Sequence, residues 1–330
     1  ALHLLRNPLN QSLPRKFKIA FSGCKQDCAL TPIHDIGLLA AKRADGAIGF
    51  RMVAGGGLGS APRLAQVLRE FTPMDELIPS VEAVIRVFDT LGNRKNRTKA
   101  RMKFVIEKLG FQEFKRRWEE AYVSMGHARP THEPIKLLSY PDEPVPLIMP
   151  TSNGSKSAAV PTNGHTNGGP SETPFEMWRR TNVVRQKQEG YVAAVTKLFM
   201  GDLTAEQMLH IADLADRYSN GNIRTTINQN MIIRWIPEAR IADLYTDLAS
   251  QGLADPGAEL VEDIIACPGT DTCGLGITSS KGLARALAEV FPAGRVPEDL
   301  KDVSVKISGC HNSCAQHHIA TIGLHGVGKR

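Results

Sequence analysis

The chain has 330 residues, 42% of them hydrophobic and 22% charged, and its formal net charge is +6. This composition excludes a disordered chain and allows two or more domains with sizeable cores. The cationic excess favours an acidic partner or substrate, so nucleic acid, an acidic electron-carrier protein and a small anion all remain open. Because the sequence contains no apolar run of roughly 20 residues and no signal-peptide pattern, we expect a soluble, cytoplasmic protein.

In the first half of the chain, periodicity predicts both strands and helices. A glycine-rich stretch, Ala54–Ser60, lacks the G-x-G-x-x-G spacing of a dinucleotide loop and is interpreted as a loop that ends a strand. The strands are predicted over 16–21 and 47–53, and the helices over 61–71, 74–91 and 97–120.

A segment rich in Ser, Thr, Asn, Gly and Pro, Thr151–Pro174, predicts a flexible linker between two halves. The second half then predicts a helix over 204–218, an alternating strand over 223–235 and a helix over 239–251. Together these elements indicate an α/β or α+β architecture.

Two distant segments of the chain repeat each other. Residues 21–29 read FSGCKQDCA and residues 307–315 read ISGCHNSCA, and the tripeptide IGL recurs at the same offset in 36–38 and 322–324. Recurrence over so long an interval indicates a duplicated domain. The first copy is incomplete at its start and the second copy is incomplete at its end. This difference predicts that the chain is an internal fragment of a longer duplicated protein.

Four cysteines of the second copy form two close pairs, Cys267 with Cys273 and Cys310 with Cys314. Four thiolates match the ligand count of a four-iron four-sulfur cluster, and the C-x5-C gap is wider than that of a typical zinc knuckle. The spacing therefore favours a cluster, with zinc or a set of buried unligated thiols as alternatives.

The remaining pair, Cys24 and Cys28, repeats the C-x3-C spacing without a second pair before it, and is interpreted as a remnant of the duplication. A mixed Cys/His metal site is a further alternative. Its candidate histidines are His34, His311, His317 and His318.

The two cysteine pairs and their flanking residues resemble the cluster signature of siroheme-dependent sulfite and nitrite reductases. Three further stretches are similar to that family. They are Leu13–Lys18, Gly92–Arg97 followed by Arg101 and Lys103, and Arg224–Asn230. The resemblance implies the C-terminal part of a first siroheme-binding repeat over 1–145 and a linker over 146–176. It implies that the second repeat supplies a ferredoxin-like half-domain over 177–252 and a truncated cluster- and siroheme-binding domain over 253–330.

The resemblance also implies a role for individual residues. Cys314 would bridge the cluster and the siroheme iron, while Lys16 and Lys18 would attract the substrate anion and deliver protons. The siroheme carboxylates call for cations and amide donors. The matching candidates are Arg15, Arg94, Arg97, Arg101, Asn228 and Asn230.

These implied roles predict a reductase that converts sulfite to sulfide, with nitrite as the alternative substrate. Sulfite is preferred because Lys18 stands where the family's nitrite enzymes tend to have Asn. The sequence contains no flavin or nicotinamide motif, so we expect an external donor such as ferredoxin. Two other classes stay open: a zinc-stabilised nucleic-acid-binding module, whose basic face would be residues 94–103, and an inactive copy without cofactors.

Overall fold

The computed structural model describes residues 2–127, 135–137, 172–291, 300 and 302–328. It divides the chain into two compact units, Ala1–Pro141 and Asp142–Arg330. The predicted linker lies outside the described residues as far as residue 171. From there on, Thr173 and Glu176 form reciprocal capping bonds at the start of a helix that begins at Pro174. Within the described parts, no helix is both long and apolar enough to span a membrane.

Unit 1 is built on a mixed five-stranded sheet in which only the first two strands are parallel. Its strands are β1 (Ile19–Ser22), β2 (Ile36–Arg43), β3 (Ile48–Ala54), β4 (Gln66–Pro73) and β5 (Ile135–Leu137), in the order β1-β2-β3-β4 with β5 also on β2. The helices are α1 (Leu2–Leu5), α2 (Leu77–Leu91), α3 (Met102–Leu109) and α4 (Phe111–Ser124).

The core of unit 1 contains apolar residues from the sheet and from α2, α3 and α4. Met52, Phe88 and Trp118 are fully buried in it, and the indole N–H of Trp118 donates to the Ser80 carbonyl at 3.0 Å. The predicted helices over 74–91 and 97–120 are confirmed, the second as α3 and α4. The predicted strands over 16–21 and 47–53 are confirmed as β1 and β3.

The helix predicted over 61–71 is wrong, because this segment contributes β4. Its apolar residues fit a helical period, but Val67 pairs with Val53 and Thr72 with Phe50 in an antiparallel ladder against β3. Pairing with a neighbouring strand therefore overrides the local pattern.

Unit 2 begins with an antiparallel four-stranded sheet in the order β6-β7-β9-β8. Its strands are β6 (Val183–Arg185), β7 (Tyr191–Thr196), β8 (Ile223–Thr225) and β9 (Met231–Pro237), and its helices are α5 (Pro174–Asn182), α6 (Ala205–Tyr218) and α7 (Ile241–Ala249). The helices predicted over 204–218 and 239–251 are confirmed, and Thr204 with Gln207 caps the first. The single strand predicted over 223–235 is wrong, because a turn over 226–230 divides it into β8 and β9.

The rest of unit 2 is a parallel three-stranded sheet in the order β10-β11-β12. Its strands are β10 (Ile265–Ala266), β11 (Val305–Ser308) and β12 (Ile322–His325), accompanied by helix α8 (Ser280–Ala288). Ile264, Ala266, Ala284 and Ile307 are buried in its small core. The carboxyl ends of β10 and β11 lie at one edge of this sheet and lead into the cysteine loops.

The internal repeat is confirmed in three dimensions. Strand β1 pairs with β2 as β11 pairs with β12, residue for residue at the offset seen in the sequence. In the two connecting loops, Asp27 and Ser313 have φ of 50° and 58°, and Leu30 and Gln316 have φ of 51° and 63°. The C-x3-C segments of both copies therefore share one loop conformation.

Candidate cluster and anion site

The two cysteine pairs of the second copy lie on loops that follow adjacent parallel strands. Cys267 comes directly after β10, and its backbone N–H donates to the Ile307 carbonyl of β11 at 3.1 Å. Cys310 begins the loop after β11, two residues beyond Ser308. Parallel pairing therefore places the starts of both cysteine loops side by side.

Backbone hydrogen bonds connect these loops at short range. The Gly309 N–H points at the Cys267 Sγ, with 3.1 Å between nitrogen and sulfur. The Gly309 carbonyl in turn accepts from the backbone N–H groups of Ile277 and Thr278 at 2.8 and 3.1 Å. An N–H directed at a ligand sulfur stabilises the thiolate and raises the reduction potential of a cluster.

Glycine is required where the loops approach most closely. A Cβ on Gly309 would fall 2.6 Å from the Gly269 Cα, and a Cβ on Gly269 would fall 2.4 Å from the Ser280 Oγ. Gly269 also has φ of +56°, in the left-handed region. The glycines that flank Cys267 and Cys310 in the sequence thus allow the two loops to pack backbone to backbone.

None of the six cysteines forms a disulfide. Cys310 is buried, Cys267 is half-buried, and Cys273 and Cys314 are exposed. Among the described residues, no three His, Cys, Asp or Glu side chains converge closely enough to hold one metal ion. A four-iron cluster takes one thiolate per iron, so its ligands need not meet at a single point.

The turn over 226–230 supports the segment that leads into Cys267. Asn230 is buried, and its Nδ2 donates to Asp263 at 2.6 Å while its Oδ1 accepts from the Leu198 N–H at 2.9 Å. The backbone N–H of Asn228 donates to the Thr226 Oγ1 at 3.2 Å. The Asn230 side chain, predicted as a siroheme ligand, therefore makes internal bonds here.

In unit 1, the predicted cationic residues come from two adjacent segments. Arg94 joins them, since its guanidinium donates to the Ser12 carbonyl at 2.6 Å and pairs with Asp89 at 2.6 Å. Among the described residues, Arg15, Lys16 and Arg97 make no ion pair, and the last two are exposed. The structure thus brings several predicted anion-binding side chains onto one part of unit 1.

Arg101 has a different environment from the other residues predicted to bind the siroheme carboxylates. Its guanidinium is 14% exposed and pairs at 2.8 Å with Asp35, which is fully buried and also accepts from the Lys18 N–H at 2.9 Å. Burial raises the pKa of Asp35, and Arg101 opposes that rise. Arg101 therefore holds a buried carboxylate beneath Lys18.

Lys103, for which no individual role was predicted, holds the glycine-rich loop after β3. Its ammonium donates to the Leu58 and Ala61 carbonyls at 2.8 and 2.5 Å. Burial, aided by the neighbouring Arg101, lowers its pKa to about 8. The prediction that this stretch ends a strand is confirmed, since β3 ends at Ala54.

Three histidines of the second copy, His317, His318 and His325, have their rings close together. The His317 ring lies 4.1 Å from His318 and 4.7 Å from His325, measured between centroids. His317 is buried, and neither of its ring nitrogens has a hydrogen-bond partner. Burial and the two neighbouring histidines lower the pKa of His317 to about 4.

Comparison with known proteins identifies the family. The family model for the nitrite and sulphite reductase 4Fe-4S domain matches residues 2–124, and the model for the nitrite/sulfite reductase ferredoxin-like half domain matches residues 184–251. The chain belongs to the nitrite and sulfite reductase family, as the sequence motifs predicted. The first match covers the copy with Cys24 and Cys28, and the second covers the β6 to α7 region that precedes Cys267.

Individual relatives match over nearly the whole chain. An assimilatory ferredoxin-dependent nitrite reductase of Haloferax mediterranei is 31% identical over 96% of this chain and 50% of its own length. Sulfite reductase [ferredoxin] 1 of Mycolicibacterium paratuberculosis is 26% identical over 98% of this chain and 51% of its own. The solved structure of the Mycobacterium tuberculosis NirA protein has a TM-score of 0.70 and 28% identity, over 98% of this chain and 53% of that one.

These matches confirm the fold prediction, a mixed α/β chain with a ferredoxin-like half-domain. The chain spans about half the length of the relatives it matches. The relatives include both nitrite and sulfite reductases.

Proposed function

We propose that this chain contributes the iron–sulfur cluster site, and part of the siroheme and substrate site, of an assimilatory sulfite reductase. The observation that carries the proposal is the pair of cysteine loops on adjacent parallel strands, with the Gly309 N–H directed at the Cys267 sulfur. The matched family models and the relatives named as reductases support it.

The described residues fit a four-iron four-sulfur cluster by their chemistry. Four cysteines outside disulfides, on loops rich in glycine and threonine, supply the thiolate count that such a cluster needs. The glycines allow the backbone to approach closely, as the Gly309 contact shows. Cys267, Cys273, Cys310 and Cys314 would ligate the irons, and Cys314 would also reach the siroheme iron.

Unit 1 fits the acidic periphery of siroheme. Arg15, Lys16 and Arg97 have no ion-pair partner among the described residues, and cations without carboxylate neighbours are available to bind an anionic group. Siroheme, when bound, supplies the iron at which the substrate anion is reduced. Arg94, Asn228 and Asn230 remain predicted siroheme contacts.

Lys16 and Lys18 would act on the substrate anion. Both side chains are exposed at the start of β1, and the Lys18 backbone is fixed by its hydrogen bond to Asp35. Their ammonium groups would attract sulfite and donate protons as its oxygens leave as water. The electrons would come from an external donor such as ferredoxin, whose acidity suits the formal charge of +6.

Nitrite is the second candidate substrate, and the Haloferax mediterranei relative named as a nitrite reductase favours it. Sulfite remains the preferred substrate because Lys18, beside Lys16, offers a second cation to an anion that carries two charges. The two substrates are expected to respond differently when that cation is removed.

The test compares sulfite and nitrite reduction by the chain produced in cells that make siroheme, with a reduced viologen as electron donor. We expect the Lys18→Asn variant to lose about tenfold or more in kcat/KM for sulfite, because a charge-assisted hydrogen bond contributes about 1.5–3 kcal/mol, and to keep its nitrite rate. Lys42→Asn, an exposed lysine on β2, is the matched control. Equal losses for both substrates would contradict the sulfite assignment.

A further inference from the structure

The side chain of Gln229 binds the backbone of the residue that precedes the first cluster cysteine. Its Nε2 donates to the Ala266 carbonyl at 3.0 Å, and its Oε1 accepts from the Ala266 N–H at 3.1 Å. Ala266 is fully buried, and Cys267 follows it directly. One carboxamide therefore satisfies both polar backbone groups of a buried residue.

The position of β10 in its sheet explains why such a partner is needed. β10 is an edge strand, paired only with β11 in the described sheet, and the Cys267 N–H already bonds to the Ile307 carbonyl on that side. The polar groups of Ala266 face the other side, where no strand lies. A buried N–H and C=O without partners would be costly, and the Gln229 amide pairs with them as a neighbouring strand would.

The backbone of Gln229 is held in a conformation that glutamine rarely adopts. Its φ is 66°, in the left-handed region, which is unfavourable for a residue with a side chain. The flanking Asn228 and Asn230 N–H groups both donate to the Thr226 Oγ1 at 3.2 Å. Gly201 leaves space beside the Gln229 Cβ, since a Cβ there would lie 3.0 Å away. The turn thus directs the carboxamide to Ala266 against a local conformational cost.

We propose that Gln229 is a positioning residue that fixes Cys267 for cluster ligation and links the ferredoxin-like half-domain to the cluster loop. The ligation role depends on the proposed function. The pair of hydrogen bonds from the Gln229 side chain to the Ala266 backbone, called the clamp below, is a property of the folded chain alone. Gln229 lies between the two asparagines singled out from the sequence, and nothing in the local pattern distinguished it.

The clamp is tested on the metal-free chain of 330 residues by hydrogen exchange of the Ala266 amide. Gln229→Ala and Gln229→Gly both remove the carboxamide, and the glycine variant also relieves the backbone conformation. We expect both to exchange about tenfold to a hundredfold faster at Ala266, because a lost buried hydrogen bond costs about 1–3 kcal/mol. Unchanged exchange in Gln229→Gly would overturn the clamp.

Gln207→Ala is the matched control, since Gln207 also makes one donor and one acceptor bond to backbone in the same half-domain, to Gln251 and Thr204. It should leave the Ala266 amide unchanged, and an equal acceleration in this variant would also overturn the proposal.

The ligation role is tested on cluster-loaded protein by the rate of iron release to a chelator. We expect release about tenfold faster from Gln229→Gly than from the wild type or Gln207→Ala. Equal release rates would overturn the positioning role even if the clamp is real. A wild-type chain that takes up no cluster would overturn the ligation role together with the proposed function. Hydrogen exchange at Ala266 would still test the clamp independently, because it is measured on metal-free protein.

Discussion

Replacing Asp35 with alanine tests the buried ion pair beneath Lys18. The Asp35 carboxylate is fully buried, accepts from Arg101 at 2.8 Å and from the Lys18 N–H at 2.9 Å. Asp35→Ala leaves a guanidinium that is only 14% exposed without its partner. Removing one member of a buried pair costs about 3–5 kcal/mol, so we expect unit 1 to lose that much stability.

The assay needs a probe confined to unit 1. The chain has three tryptophans, and Trp118 is the one in this unit. In a background with Trp178→Phe and Trp235→Phe, urea unfolding followed by Trp118 fluorescence reports unit 1 alone. The double variant Asp35→Ala with Arg101→Met should regain about half or more of the loss, because it removes the unpaired charge.

The control is Glu107→Ala, which breaks the exposed pair between Arg63 and Glu107, with side chains 52% and 48% exposed. An exposed pair contributes about 0–1 kcal/mol, so this variant should unfold almost like the wild type. Equal small losses in Asp35→Ala and Glu107→Ala would contradict a stabilising buried pair of Asp35 and Arg101, as would a double variant less stable than Asp35→Ala.

Three further predictions concern unit 2. Gly309→Ala should lower iron per chain at least twofold, because its Cβ would lie 2.6 Å from neighbouring backbone, whereas Gly328→Ala, with open space around it, should not. Because the pKa of His317 is lowered to about 4 from 6.5, the unfolded chain binds more protons between these values. Stability of unit 2 should therefore fall as pH drops from 6.5 to 4, and His317→Phe should flatten that slope in urea unfolding followed by tryptophan fluorescence. Asn230→Ala should cost about 2–4 kcal/mol by the same measurement, since it leaves the buried Leu198 N–H without its partner and removes one of the two hydrogen bonds to the buried Asp263 carboxylate. A loss under 1 kcal/mol would contradict the internal role of Asn230.

Local signals predicted the parts of the fold that local chemistry determines. Helix α6 was predicted correctly because its apolar period coincides with the reciprocal cap of Thr204 and Gln207. The common loop of the two copies was expected from matching sequence, and the left-handed residues Asp27 and Ser313 occur at equivalent positions in both.

Other features depend on partners far along the chain. Strand β4 fits a helical period, and only its ladder with β3 decides its structure. The pairs of Arg101 with Asp35 and of Gln229 with Ala266 join residues 66 and 37 positions apart, with no local signal. The sequence therefore predicted the cysteines proposed as cluster ligands, but neither the partner of Arg101 nor the Gln229 side chain that holds the residue before Cys267.

The ligation of a four-iron four-sulfur cluster by Cys267, Cys273, Cys310 and Cys314 is the proposal on which the assigned function depends. Its most direct test is iron and acid-labile sulfide per chain in protein purified without oxygen, beside Cys273→Ser and Cys28→Ser variants. We expect about four sulfides with a matching amount of cluster iron in the wild type and in Cys28→Ser, and their loss in Cys273→Ser. Zinc, no metal, or a cluster that survives Cys273→Ser and is lost in Cys28→Ser would contradict it.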